Sequence, residues 1–220
     1  MSLVQISSAE AVPGLANFDA VIDARSPAEF AEDHLPGALN WPVLDDEQRR
    51  IVGTLYKQVS ALEARKVGAA MAARNIAGHV ERHAGALPRE WRPLVYCWRG
   101  GQRSGSFAHI LREIGWDAHR LQGGYKSWRR NVIEALDDLP PKLSFKVITG
   151  ATGSGKSRLL EALAVEGAQV LHLEDLAAHK GSVLGSLPSR PQPSQKTFES
   201  HLFAALATFS PDQPVFVEAE

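Results

Sequence analysis

The one cysteine among the 220 residues sits in Cys97-Trp98-Arg99-Gly100-Gly101-Gln102-Arg103-Ser104. It follows the short apolar run Pro93-Leu94-Val95-Tyr96 and precedes Phe107, Ile110, Leu111 and Ile114 at helical spacing, with Gly115 as a stop. A thiol between a strand end and a helix start meets converging backbone N–H groups, and Arg99 and Arg103 add positive charge. Both effects stabilise a thiolate nucleophile. Gly100 and Gly101 let the backbone curl so that its donors aim inward, as an anion-binding nest requires. Two chemistries fit the loop: transfer of a sulfur-type atom carried on Cys97, or phosphatase chemistry through a Cys-x5-Arg loop ending at Arg103. A phosphatase needs a general acid for its leaving group, and the sequence offers no convincing candidate near the loop. Lone cysteines more often fill cores, but a core cysteine needs neither two arginines nor a glycine pair.

The second chemical signal is Gly150-Ala151-Thr152-Gly153-Ser154-Gly155-Lys156-Ser157, a full G-x-x-x-x-G-K-S behind the strand-like Phe145 to Thr149 and ahead of a helix through Leu159, Leu160 and Leu163. Gly150, Gly153 and Gly155 allow backbone amides to cradle a diphosphate, Lys156 reaches its outer oxygens, and Ser157 can hold Mg2+. The strand-like Pro214 to Val217 ends on Glu218 and Glu220, where a metal-orienting residue or a general base is expected. Ser157 and Glu218 therefore form a candidate Mg2+ environment, with no firm metal site, no His/Cys ligand cluster and no tightly bound cofactor expected.

The elements that must position these residues alternate between strand-like and helix-like runs, which predicts an α/β fold with parallel sheets. With 44% hydrophobic and 22% charged residues, the composition is that of a folded globular chain. The length allows two small domains. Asp137-Asp138-Leu139-Pro140-Pro141 marks the break as a stiff extended linker. This gives a first domain over 1–138, a linker over 139–142 and a P-loop domain over 143–220. In the first, Ala20 to Ile22 reads as a strand, Ser26 caps a helix with Pro27 in its first turn, and that helix stops near His34. Residues of about 45–85 read as a helical insertion with a capping box at Ser60-Ala61-Leu62-Glu63. Ser186 to Ser194 is Pro/Ser-rich and reads as a loop. No run is apolar enough for a membrane span, and the first residues lack a secretory pattern, so a cytoplasmic protein is expected.

Charge is uneven. Between Arg89 and Arg130 stand nine Lys/Arg and three acids, interleaved with Trp98, Trp116, Tyr125 and Trp128. Such a stretch suits a polyanion with stackable bases, or simply a solvated basic face.

The first domain resembles the rhodanese family on Asp23-Ala24-Arg25-Ser26-Pro27-Ala28-Glu29-Phe30, on His34-Leu35-Pro36-Gly37-Ala38 with Asn40, and on Leu121-Gln122-Gly123-Gly124 with Trp128. The resemblance implies that Cys97 is a persulfide carrier. Asp23 and Arg25 are expected to pair structurally, and His34 to be structural too. Joined to the P-loop, and with Gly53 to Gln58, Glu63 to Lys66 and Gly123 to Arg129, the whole chain is similar to the tRNA 2-selenouridine synthase family. That resemblance implies a selenotransferase acting on tRNA, with selenophosphate and geranyl diphosphate as further substrates and an S-geranyl-2-thiouridine intermediate. It implies that Cys97 forms an S-selanylcysteine as phosphate departs, with Arg99 and Arg103 holding that phosphate. Diphosphate would go to Gly150 through Ser157, and Lys126, Arg129 and Arg130 are candidate tRNA contacts. Family members run well past Glu220, so the P-loop domain is expected to be incomplete. A generic sulfurtransferase with a regulatory NTPase domain, or a non-catalytic tRNA-binding or phosphate-sensing module, stays open as an alternative.

Overall fold

The computed structural model describes residues 5–7, 15–151, 153–179 and 191–219. Thr152, Glu220 and residues 186–190 of the Pro/Ser-rich stretch lie outside the described residues. The chain separates into two compact units, residues 1–131 and 132–220, each built on a parallel sheet. None of the helices among the described residues is long and apolar enough to cross a membrane.

The first unit has five strands: β1 (Gln5–Ile6), β2 (Ala20–Asp23), β3 (Leu39–Asn40), β4 (Pro93–Tyr96) and β5 (His119–Leu121). They lie in the order β1-β5-β4-β2-β3, all parallel. The central strand β4 is buried at every residue, as a strand covered on both faces must be. Its carboxyl end delivers Cys97. Helix α1 (Pro27–Glu32) starts at Ser26, whose N–H donates to the Glu29 carboxylate at 3.2 Å. The insertion is a helical hairpin, α2 (Asp46–Gln58) and α3 (Ala61–His79), continued by a π turn at Val80–Ala84. Ser60 Oγ accepts the Glu63 N–H at 3.1 Å, which fixes the start of α3. Helix α4 (Gln102–Ile114) follows the cysteine loop and ends on Gly115 at φ 116°, a conformation that favours glycine.

Helix α5 (Gly124–Asp138) runs on to the two prolines, and Pro140–Lys142 then forms a 3-10 turn rather than the expected extended linker. Proline is compatible with the first turn of a helical segment, where its missing N–H has no intrahelical role. The second unit holds β6 (Ser144–Thr149), α6 (Lys156–Val165), β7 (Gln169–Leu171), α7 (Leu173–Ala177), α8 (Gln195–Leu206) and β8 (Pro214–Ala219). Its strands lie in the order β6-β8-β7. Leu171, Leu206, Val215 and Val217 form its core, whereas Val147 on the outer strand β6 is 56% exposed.

The first turn of α5 is pinned to the cysteine loop. Tyr125 N–H donates to the Cys97 carbonyl at 2.8 Å and Lys126 N–H to the Trp98 carbonyl at 3.0 Å. The approach is close because Gly124 has no side chain: a Cβ there would lie 2.1 Å from the Cys97 carbonyl oxygen, at a φ of +59°. Beneath the loop, Arg25 and Asp23 form a fully buried ion pair at 2.6 Å. Arg25 also donates to the Asp33 carbonyl at 2.6 Å, and its guanidinium stands 4.0 Å from the centre of the Tyr125 ring. Burial opposes the Arg25 charge, but Asp23 outweighs it and raises the guanidinium above its ordinary range. Burial pushes the Tyr125 phenol upward, helped by Asp33, whose Oδ2 accepts its O–H at 2.8 Å. Asp23 and Arg25 thus have structural partners, as does His34, which stacks on Phe30 and bonds its carbonyl at 3.0 Å.

All five tryptophans lie in the first unit, so their fluorescence reports its unfolding. Gly124→Ala should lower its stability by about 4 kcal/mol or more, because backbone must move. Gly37→Ala, at φ +70° but with nothing within 4 Å of the added carbon, should cost only about 1–2 kcal/mol of strain. Equal denaturation midpoints for the two variants would contradict the docking. A second test uses the Arg103–Glu29 pair, which joins α4 to α1 at 2.6 Å. Burial pushes the Glu29 carboxyl upward, but Arg103 and the Ser26 amide together hold it below its ordinary value of 4.5. The pair's contribution is therefore complete above about pH 4.5 and lost as pH falls through the lowered value. Glu29→Gln should cost about 1.5–3 kcal/mol at pH 7, and the difference from wild type should shrink below pH 4. A difference unchanged at pH 3 would exclude the charge as its source.

Candidate functional site

Cys97 stands at the carboxyl edge of the middle strand, where open parallel sheets present their reactive groups. Its side chain is 3% exposed, and Sγ lies 3.1 Å from Ser104 Oγ. The serine hydroxyl comes from the first turn of α4 and can donate to a thiolate. Gly100, at φ +64°, lets the loop pass against Leu121: a Cβ there would stand 2.7 Å from its carbonyl oxygen. The loop is therefore fixed from both sides, by α4 behind it and by the Leu121 to Lys126 segment beneath it.

The two arginines of the loop part company. Arg103 gives Nη1 and Nη2 to the Glu29 carboxylate at 2.6 and 3.2 Å, so its guanidinium is already engaged by a carboxylate. That engagement weighs against a phosphatase-type loop, in which the arginine must hold the phosphate. Arg99 instead joins Gly123, Lys126, Ser127 and Arg130 around a polar depression of about 420 Å3. Three cations from two segments converge there. The sequence assigns Arg99 to the cysteine and Lys126 and Arg130 to RNA, and leaves Ser127 unassigned. The signal for Ser127 is present in the spacing, since residues 126, 127 and 130 fall on one side of α5. Arg129 is half-buried and does not line this depression.

Other parts of the basic stretch are structural. Arg92 and Arg112 approach Asp117 at 3.2 and 3.7 Å. Of the interleaved aromatics, Tyr125 and Trp128 are buried, and Trp116 packs edge-on against Trp91 at 5.2 Å while donating to the Pro88 carbonyl. Trp98, 36% exposed and 5.3 Å from Tyr125 between ring centres, is the one of the four left with a substantially exposed face. The expectation of several stacking platforms is corrected accordingly: apolar area buried in the core outweighs a periodic surface placement.

In the second unit, β6 runs into the phosphate loop and α6 begins at Lys156. Gly153 and Gly155 have φ of +82° and +88°. A Cβ on Gly150 would stand 2.7 Å from Ser154 Oγ. Lys156 Nζ donates to the Gly150 carbonyl at 2.8 Å, which places its ammonium across the loop. Strand β8 lies beside β6 with Glu218 in register with Ile148. The pairing carries the buried Glu218 carboxylate to the loop, where it accepts from Ser157 Oγ at 3.1 Å. A hydroxyl and a carboxylate are hard oxygen donors of the kind that suit Mg2+ alongside phosphate oxygens. No group of three or more His, Cys, Asp or Glu that could hold a metal ion is present among the described residues.

Residues 8–131 match the rhodanese-like domain family, and residues 143–220 match the tRNA 2-selenouridine synthase AAA domain. The tRNA 2-selenouridine synthase of Nitrosomonas europaea is 40% identical over 204 residues, covering 91% of this chain and 52% of that protein. That of Shewanella halifaxensis is 35% identical over 207 residues, covering 94% and 55%. The chain thus spans about half the length of the curated relatives it matches. The crystal structure of the N-terminal domain of a Clostridium difficile 630 protein named for ATP/GTP binding is 32% identical, with a TM-score of 0.50, over 60% of this chain and 99% of that one. The chain belongs to the rhodanese-like domain family over residues 8–131, and behind that domain it carries the AAA domain of the tRNA 2-selenouridine synthases.

Proposed function

We propose that the chain works in a tRNA-modifying transferase that converts wobble 2-thiouridine to 2-selenouridine with selenophosphate, through an S-geranyl intermediate made from geranyl diphosphate. The observation that carries this reading is the docked Cys97 loop beside three converging cations, in a chain whose second unit has a separate phosphate loop. Relatives named tRNA 2-selenouridine synthase support it at the level of tRNA modification.

The two units divide the chemistry. The amides around Gly150, Gly153 and Gly155, with Lys156, hold the diphosphate of geranyl diphosphate and stabilise its charge as it leaves. The 2-thio sulfur forms the new S–C bond, the geranyl C–O bond breaks with its electrons going to diphosphate, and the nucleobase sheds a proton. Ser157 and Glu218 would hold Mg2+, which when bound neutralises diphosphate charge. Alkylation turns the sulfur into a leaving group.

Selenium is loaded at Cys97. Its thiolate attacks the selenium of selenophosphate, forming S–Se and breaking Se–P. The electron pair of that bond leaves with phosphorus, so the phosphorus product of this step is phosphite. Electron balance thereby amends the expectation that phosphate departs. The terminal selenium then adds to carbon 2 of the alkylated base, the C–S bond breaks, and the geranyl thiolate leaves and takes a proton. An outside low-molecular-weight thiol attacks the Cys97 sulfur, releasing the selenouridine and forming a mixed disulfide with Cys97. A second thiol molecule resolves it. These 220 residues contain one cysteine, so both thiols come from elsewhere, which suits a cytoplasmic, thiol-reducing setting. Arg99, Lys126 and Arg130 receive an anionic oxygen group, from selenophosphate or from the tRNA backbone.

The test is a crossed pair of variants, with geranylation of a 2-thiouridine stem-loop and selenium uptake on the residue-97 peptide read separately by mass spectrometry. Lys156→Ala should stop geranylation and leave selenium uptake intact, and Cys97→Ser should do the reverse. Loss of both reactions in either variant would contradict two sites. Arg130→Ala should lower the slope of log affinity for the stem-loop against log salt by about 0.7–0.9, the value of one phosphate contact. An unchanged slope would remove Arg130 from the RNA surface.

A further inference from the structure

Trp98 keeps 36% of its surface in solvent, whereas Trp41, Trp91 and Trp128 are buried. A single exposed apolar side chain needs no explanation of its own. This one is held still, and it is held among cations. Its carbonyl accepts the Lys126 N–H at 3.0 Å, and its ring stands 5.3 Å from the Tyr125 ring at a tilt of 30°. Tyr125 is fixed in turn: the Arg25 guanidinium lies 4.0 Å from its ring centre, and its O–H donates to Asp33 at 2.8 Å. A backbone hydrogen bond and a fixed neighbouring ring therefore hold Trp98 before any ligand arrives. An aromatic side chain held in this way loses little freedom on binding.

The cations stand on the residues that Trp98 touches or adjoins. Arg99 follows it in the chain, and Lys126 supplies the N–H that it binds. Both line the depression that Arg130 completes. Cys97 immediately precedes it. An open aromatic face beside three cations complements a ligand that offers a flat ring and a phosphate in each unit. A free oxoanion would leave the indole unused, an apolar chain would leave the cations unused, and an acidic peptide supplies the charge without the ring. A single-stranded polynucleotide has both.

We infer that Trp98 stacks on the base of the nucleotide next to the one being modified, while Arg99, Lys126 and Arg130 take the phosphate that joins the two. The inference rests on the preceding reading and deepens it. The modified base must reach Cys97, and Trp98 is the adjacent residue, about 3.8 Å away between Cα atoms. The base on Trp98 is therefore a neighbour of the target. Stacking of this kind tolerates any base, so Trp98 sets the register of the strand over the cysteine without reading its sequence.

The test measures the affinity of the 220-residue chain for a 2-thiouridine stem-loop and for two copies of it with an abasic site, one placed 5′ and one 3′ of the thiouridine. One of the abasic copies should bind the wild-type chain about tenfold more weakly, the scale of one base stacked on an aromatic ring. Trp98→Leu should weaken the intact stem-loop by a similar factor, and the abasic site should then cost nothing further. Trp98→Tyr should restore both the affinity and the abasic effect. Stacking neutralises no phosphate, so Trp98→Leu should leave the slope of log affinity against log salt unchanged. An abasic effect that persists in Trp98→Leu, or wild-type affinity in that variant, would overturn the inference. A changed salt slope would place the loss on displaced cations and overturn it equally. Displacement of the stem-loop by polyglutamate as readily as by polyuridylate would give the surface to an acidic protein instead. A wild-type chain that does not bind the stem-loop would overturn this inference and the transferase reading together. Selenium uptake on Cys97 by the same wild-type preparation separates the two: an abasic effect without uptake leaves the stacking contact standing and removes the transferase reading.

Discussion

Two peptide N–H groups hold the Cys97 loop. Tyr125 and Lys126 donate to the carbonyls of Cys97 and Trp98, and this is possible because Gly124 brings backbone against backbone where a methyl group would collide. Remove that contact and the loop loses one of its two anchors. The buried Arg25–Asp23 pair is expensive to desolvate unless its remaining valences are met, and they are met by Asp33, Tyr125 and the backbone of the same region. The cluster that fixes the start of the chain's sheet therefore also supports the floor of the loop.

Charge is partitioned around this frame. Arg103, adjacent in sequence to the loop, ties α4 to α1 through Glu29, while Arg99 turns to the side where Lys126, Ser127 and Arg130 stand. One arginine is spent on position and the other remains for an anion. On the far side of α4 a different surface opens, apolar and bordered by guanidinium groups. The Cys97 loop thus has three cations on one flank and an apolar groove bordered by arginines on the other.

Most of this fold was legible. Pro93 to Tyr96 is all apolar and bounded by turn residues, so β4 stands out, and Ser26, Ser60 and Gly115 mark helix ends by local chemistry that tertiary packing has no reason to override. The short strands β1, β3 and β5 were not legible, because two or three residues have no period to detect, and His119-Arg120 looks polar until its neighbours bury it. The phosphate loop and Cys97 could be read because their backbone demands specific residues. The partner of Arg103 could not, since Glu29 lies 74 positions away and only the sheet order brings them together. The same applies to the groove: alanines along α3 show helical spacing, but nothing in their spacing tells which helix faces them.

The measurement that bears most directly on the account is the mass of the Cys97 peptide after the purified chain meets selenophosphate, with thiosulfate in a parallel sample and the phosphorus product followed by 31P NMR. The account predicts one selenium on Cys97, phosphite in equal amount, and a smaller adduct from thiosulfate. An unmodified Cys97 peptide, or selenium found elsewhere on the chain, would contradict it.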